Sequence, residues 1–388
     1  MFDPNLVDLT VLRKRAYNLR WATVPEGVIP LTAADPDTPC APEIAGAIAR
    51  FAQDRYFCYG PPDGLPEFRE SLACYYQTKR RIPASPSWIF PVDSAAFGIY
   101  LTCKAFLSPG DEAILFDPVD FLFGYSIGAA GAKPVPYALP AGEELDIRRM
   151  EALITPRTKL ICLCNPLNPT GKVFTEKELL LIGGLACKHD LLILSDEIWS
   201  DIVFSPHVYT SIASLNDDIR NRTVTITGFS KSYGLAGLRI GAVMASDRAR
   251  YQRLFDASLH NTTIHGSNLI GQVAATTAIC ACEGWLKEFV RHLQEMRDLC
   301  VHRLNAIDGF SCVPPEGCYV AFADISGTRL TSREMQELLL TKARVAVVPG
   351  LPEWFGDGAD GYIRLSFATT REILTDALDR IKNTIQQL

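Results

Sequence analysis

Lys231 lies in the stretch "TGFSKSYGLAGLRIG" among hydroxyls and glycines, with Arg239 eight residues on. A loop lysine that serves as a solvated charge needs no such setting. One used as an amine nucleophile needs surroundings that lower its pKa and bring it a carbonyl partner. Two further stretches supply complementary groups. In "NPLNPTG" the prolines and glycine impose a turn, which leaves the Asn168 amide as a fixed hydrogen-bond donor. Asp196 ends the apolar run "LLILSD", where a carboxylate is costly unless a cation meets it. An aldehyde for the lysine, a protonated ring nitrogen for the aspartate, a ring oxygen for the asparagine and a phosphate for the arginine are all found in one cofactor, pyridoxal 5'-phosphate.

The elements that would position these groups are short apolar runs. "DEAILFDP", "TKLICLCNP", "DLLILSDE", "RTVTITG" and "RIGAVMA" alternate with helical patterns such as "TEKELLLIGGLACKHD". Continuous apolar strands separated by helices predict an α/β fold with a mostly parallel sheet covered on both faces. Ligands of such sheets sit beyond the carboxyl ends of the strands, which is where Asn168, Asp196 and Lys231 fall. From "GWLKEFVRHLQEMRDLCVHRLNAI" onward the pattern becomes one long helix, two alternating strands ("GCYVAFADI" and "GYIRLSFA") and a closing helix. The expected architecture is a large domain over 50–285 and a smaller α+β domain made of 1–49 and 286–388.

Composition removes several other classes. The 388 residues carry 38 basic and 44 acidic side chains, a net charge of -6, with no basic stripe, so nucleic acid is not the expected partner. No apolar run reaches the length of a membrane span, and the N-terminus has no signal-peptide pattern, so the expected location is cytoplasmic. The twelve cysteines lie in apolar company without metal-type spacing and read as buried, reduced thiols. The six histidines show no pairing at ligand spacing, and no metal is expected.

Taken in order, "NPLNPTG", "SDEIW", "SKSYGLAGLRIG" and "YIRLSFA" resemble the motifs of the fold-type I pyridoxal-phosphate enzymes of the class I/II aminotransferase superfamily, over nearly the whole chain. The resemblance implies that Lys231 is the Schiff-base lysine and the base at the substrate Cα. It implies that Asp196 holds the ring nitrogen protonated and that Asn168 donates to the ring oxygen. Arg239, Ser230 and the backbone around Ser94, Ala95 and Ala96 would hold the phosphate. Arg364, with Asn168 and the backbone near Ala34, would hold the substrate α-carboxylate. Tyr59 in "YGPPDGLPEFR" matches a tyrosine that reaches the phosphate from a neighbouring subunit, which implies a homodimer with shared active sites.

The chain also departs from that pattern. "RKRAYNLRW" followed by "IPLTAADPD" resembles the MalY/PatB branch, which includes cysteine-S-conjugate and cystathionine β-lyases. Trp199 stands where typical transaminases carry a tyrosine, and Gly228 replaces a hydroxyl residue that helps with the phosphate. The family's ring-stacking aromatic is replaced by Asp120 in "DPVDFLFGY". Phe121 is then the nearest aromatic for stacking and Phe123 the next, while Asp120 either turns outward to cap the following helix or faces the cofactor and reads a cationic or hydroxylated substrate. Amino-group transfer on an α-amino acid is the first expectation. β- or γ-elimination, or replacement, is the alternative, and a non-catalytic effector domain is remote because Lys231 and Asp196 are both present.

Overall fold

The computed structural model describes residues 2–387. Seven strands form the large sheet: β1 (Ile89–Val92), β2 (Glu112–Asp117), β3 (Lys133–Ala138), β4 (Thr158–Cys164), β5 (Leu192–Asp196), β6 (Thr223–Gly228) and β7 (Gly241–Met244). Their spatial order is β1-β7-β6-β5-β4-β2-β3, with every pairing parallel except the two made by β7. The apolar runs become strands because both faces are covered. Ile161, Leu163, Ile193, Leu194, Val224 and Ile226 are all fully buried, and each contributes about 1.5–3 kcal/mol of burial. The reversed β7 was indistinguishable in sequence, since it has the same apolar character as its parallel neighbours.

Three of the crossovers carry helices that bear on the site: α1 (Ala95–Phe106), α2 (Leu122–Ala129) and α3 (Glu176–Lys188). The start of α3 is fixed by a reciprocal capping box between Thr175 and Glu178. The long C-terminal pattern is α4 (Glu283–Leu304), whose buried stripe includes Trp285, Phe289, Leu293, Met296 and Cys300. It precedes an antiparallel sheet of β8 (Ser311–Cys312), β9 (Val320–Asp324), β10 (Val348–Pro349) and β11 (Tyr362–Ser366), in the order β10-β11-β9-β8. Ile29 and Pro30 pair in parallel with Val345 and Ala346, which ties the N-terminal segment to this second sheet.

A buried ion pair fixes the same N-terminal segment. The Arg20 guanidinium, 2% exposed, donates to the Pro30 carbonyl at 2.8 Å and to Asp37 at 2.5 Å, and the Trp21 indole donates to the same carboxylate at 2.7 Å. Those bonds tie Arg20, Trp21, Pro30 and Asp37 together, so residues 20–37 form a strap, although the second Asp37 oxygen has no partner among the described residues. The cysteines are all unpaired, but Cys58, Cys74 and Cys280 are exposed, which corrects the expectation that the thiols are uniformly buried. Cys74 and Cys280 lie on helices, and Cys58 lies in an irregular segment, none of which the apolar neighbours in sequence revealed as exposed. No single helix among the described residues is long and apolar enough to cross a membrane.

Candidate active site

A cavity of about 580 Å³ opens at the carboxyl end of the large sheet, and Lys231, Asp196, Asn168, Arg239 and Arg364 all line it. The first three are each placed by a strand that ends beneath them, and Arg239 lies just before β7. Asp196 is the last residue of β5, and Lys231 follows β6 by three residues. Asn168 sits in the turn after β4, where the Gly171 N–H donates to the Leu167 carbonyl and the Leu167 N–H to the Lys172 carbonyl. Gly171 has a φ of +75°, and a Cβ there would collide with Pro315 at 2.3 Å, so the glycine is a steric requirement of this turn.

The lysine amine donates to the Ala34 carbonyl at 2.6 Å and lies 5.3 Å from the centre of the Trp199 ring. Burial lowers its pKa, partly countered by the nearby Asp35 carboxylate. Asp196 accepts from the Ile198 N–H at 3.1 Å, and its other oxygen has only the Cys164 thiol, at 4.0 Å. Burial pushes its pKa up to about 7, with Asp120 and Glu197 adding to the rise. A carboxylate so desolvated and so poorly matched is what a protonated ring nitrogen would stabilise.

At the other end, Ser94 caps α1 by accepting from the Phe97 N–H at 3.1 Å. The N–H groups of Ala95 and Ala96, both on the cavity wall, have no acceptor among the described residues. The exposed Arg239 side chain makes no ion pair or hydrogen bond among the described residues. A free guanidinium beside a helix N-terminus is an anion site. The glycine of "LRIG" makes it possible: a Cβ on Gly241 would lie 2.8–2.9 Å from the backbone of Ser94 and Ala95, so only glycine lets β7 pass beneath the helix start. Gly228 is similar in kind, since a side chain there would meet Ile198 at 3.2 Å and Ala95 at 3.4 Å. Ser230 also lines the cavity. A free amine, an under-neutralised aspartate and an open anion cradle in one cavity fit pyridoxal phosphate.

Arg364 comes from β11 and is buried. One of its nitrogens donates to Asn168 Oδ1 at 3.1 Å and another to the Thr32 carbonyl at 3.2 Å, while Nε has no partner. Its guanidinium lies 5.0 Å from the centre of the Phe355 ring. Ala34 lines the cavity, and its carbonyl accepts from Lys231 and, at 3.1 Å, from the Tyr319 hydroxyl.

The aromatic wall differs from expectation too. Phe121 lines the cavity but is 42% exposed and meets Trp354 edge-on at 5.8 Å. Phe123, on α2, is buried and also lines the cavity. Asp120 caps the following helix and also faces the cavity: Oδ1 accepts from the Leu122 N–H at 3.2 Å at the start of α2, and Oδ2 accepts from Asn168 Nδ2 at 2.9 Å. Tyr59 is 88% exposed and does not line the cavity of its own chain. Sequence reasoning missed Asp35, Thr32 and Tyr319. The first two flank Ala34 in "LTAADPD", and Tyr319 lies just before β9 in a run that read only as an alternating strand.

The model of the class I and II aminotransferases matches residues 26–381. An aspartate aminotransferase from Pyrococcus abyssi is 34% identical over 85% of this chain and 84% of its own. An aromatic-amino-acid aminotransferase from Thermococcus litoralis is 33% identical over 93% and 92%. The structure of cystalysin from Treponema denticola, which contains pyridoxal 5'-phosphate, superposes with a TM-score of 0.91 over 100% of this chain and 99% of its own, and at 21% identity it speaks for the fold. By sequence, this chain belongs to the class I and II aminotransferase family.

Proposed function

We propose that this chain moves the amino group of an α-amino acid to a 2-oxo acid, with Lys231 as the residue that carries the cofactor and moves the Cα proton. The observation that carries this reading is the position of the Lys231 amine, held at 2.6 Å by a single carbonyl in a cavity whose opposite walls hold Asp196 and Arg364. When bound, pyridoxal phosphate supplies an electrophilic aldehyde and an electron sink for the bonds at Cα. Asp196 keeps a proton on the ring nitrogen, because a buried carboxylate at this strand end is stabilised by a cation against it. Arg239, Ser230 and the Ala95 and Ala96 N–H groups hold the phosphate, and Arg364 clamps the α-carboxylate as a fork whose angle Asn168 and Thr32 fix.

Lowering the lysine pKa by burial gives a larger share of neutral amine near pH 7, which both binding and proton transfer require. The working unit we infer is a homodimer of large (50–285) and small (1–49 with 286–388) domains. Tyr59 would reach a partner's phosphate, which its exposure in the single chain supports. The twelve free thiols support a reducing, cytoplasmic setting. Holoenzyme mixed with an amino acid and no acceptor should release one 2-oxo acid per site and stop. Continued release of pyruvate and ammonia from a β-substituted amino acid would show elimination in place of transfer.

A further inference from the structure

We propose that Asp120 is a specificity-determining residue that selects substrates whose side chain ends in a cation and rejects those ending in a carboxylate, an inference that rests on the reading of Arg364 as the α-carboxylate clamp. Three cations line the cavity: Lys231, Arg239 and Arg364. Under that reading the first two serve the cofactor and the third the α-carboxylate, so among the described residues no lining cation is left for a second carboxylate. Of the lining carboxylates, Asp196 lies on the floor and Asp93 beside the anion cradle at Ser94, which leaves Asp120 facing the substrate.

Asp120 is held firmly enough to discriminate. The Leu122 N–H fixes one oxygen and Asn168 Nδ2 the other, and the same Asn168 amide accepts from Arg364. The carboxylate therefore stands one amide away from the group that anchors the substrate, and each oxygen retains capacity for a further donor. Phe121, Trp354 and Phe355 flank it, offering apolar surface to the methylene stem of a long basic side chain while its charged end reaches the carboxylate. A side-chain carboxylate in the same place meets like charge with no compensating partner.

Holoenzyme should be titrated calorimetrically with 4-guanidinobutanoate, pentanoate and glutarate, which share one carboxylate, lack an α-amine and differ in the far end. The guanidino acid should bind at least about tenfold more tightly than glutarate, with pentanoate between them. Asp120→Asn retains a side chain able to cap α2 and removes the charge, and should collapse that ratio, whereas Asp120→Glu should keep its direction. Tighter binding of glutarate, no measurable binding of the guanidino acid, or an unchanged ratio in Asp120→Asn overturns the proposal. In parallel, kcat/KM should favour arginine over aspartate in the wild type. If no amino acid donates its amino group while the binding ratio still follows Asp120, the proposed reaction fails and the selectivity stands. If transfer proceeds with equal preference in wild type and Asp120→Asn, the selectivity fails and the reaction stands.

Discussion

The floor and the rim of the cavity are built on different principles. On the floor, Asp196, Asn168 and Lys231 sit at or just after the ends of adjacent parallel strands, so their spacing is set by the interstrand distance and a well-buried sheet. At the rim, Thr32, Asp120 and Arg364 come from the N-terminal strap, the start of α2 and the second sheet; Asp120 and Arg364 are joined through the Asn168 side chain, and Arg364 also donates to the Thr32 carbonyl. A floor of this kind tolerates little change in geometry, while a rim can exchange one side chain for another without moving the sheet. The residues proposed to meet the cofactor ring therefore lie on the floor, and Asp120, where the family pattern has an aromatic, falls on the rim.

The sharpest way to break this comparison is to remove the floor's reactive group. Lys231→Ala should lower turnover by roughly 10²–10⁴-fold through lost proton transfer alone, beyond any loss of cofactor retention. Borohydride reduction and peptide mapping of the wild type should place the pyridoxyl group on Lys231, and label on another lysine would move the site elsewhere.

Asp196 ranks next. Asp196→Asn should reduce kcat about 10²–10³-fold with little change in KM, since the lost interaction matters most as charge develops in the ring. The apoprotein offers a second measure. Burial raises the Asp196 pKa from 3.8 to about 7, so the folded state binds the extra proton. Its contribution is favourable below pH 4 and is lost as pH rises toward 7, leaving a penalty of about 4 kcal/mol on the apo fold above that. Apo Asp196→Asn should then gain Tm relative to the wild type between pH 5 and pH 8, and a constant difference would show that the carboxylate is not desolvated.

These two regions were not equally legible in the sequence. The floor could be read because strand ends are marked by apolar runs that stop at Asp196, at the "NPLNPTG" turn and before Lys231. The rim could be read only in part. Arg364 was recoverable from its motif, but its hydrogen bonds to Asn168 and Thr32 join residues far apart in the chain, which no local pattern encodes. The backbone near Ala34 was named, but the bonds of its carbonyl to Lys231 and Tyr319 were not foreseen, since a backbone segment in sequence shows neither which of its groups points inward nor what meets it. Phe121 was named as the nearest aromatic for stacking, and its edge-on partner Trp354 comes from a short helix (Pro352–Phe355) far along the chain, which no local pattern shows.

Arg364 tests whether the rim binds rather than reacts. Arg364→Ala should raise KM and lower kcat/KM about ten- to hundredfold, while kcat falls less, because the lost contact is with a carboxylate that stays charged throughout the reaction. Arg364→Lys should recover little of the loss, since an ammonium cannot replace the fork that Asn168 and Thr32 orient. An equal fall in kcat and kcat/KM would place the arginine on the floor in function, and the distinction between the two regions would fail there.

The smallest effect expected is at Asp35, where rim and floor meet. This carboxylate is half-buried and desolvation raises its pKa, yet it is drawn back down chiefly by Lys231 and then by Arg20. It thus ties the charge of the reactive amine to the strap that the Arg20–Asp37 pair fixes. In the apoprotein Asp35 favours the charged form of Lys231, opposing the effect of burial. Asp35→Asn removes that opposition and should shift the pH midpoint for acetylation of Lys231 downward by about one unit at most, with Tm little changed. The expected consequence in the holoenzyme is a modest fall in activity at high pH and almost none near neutrality. If the labelling midpoint stays where it is while Tm drops, Asp35 serves the strap alone, and the rim has no electrostatic hold on the lysine beneath it.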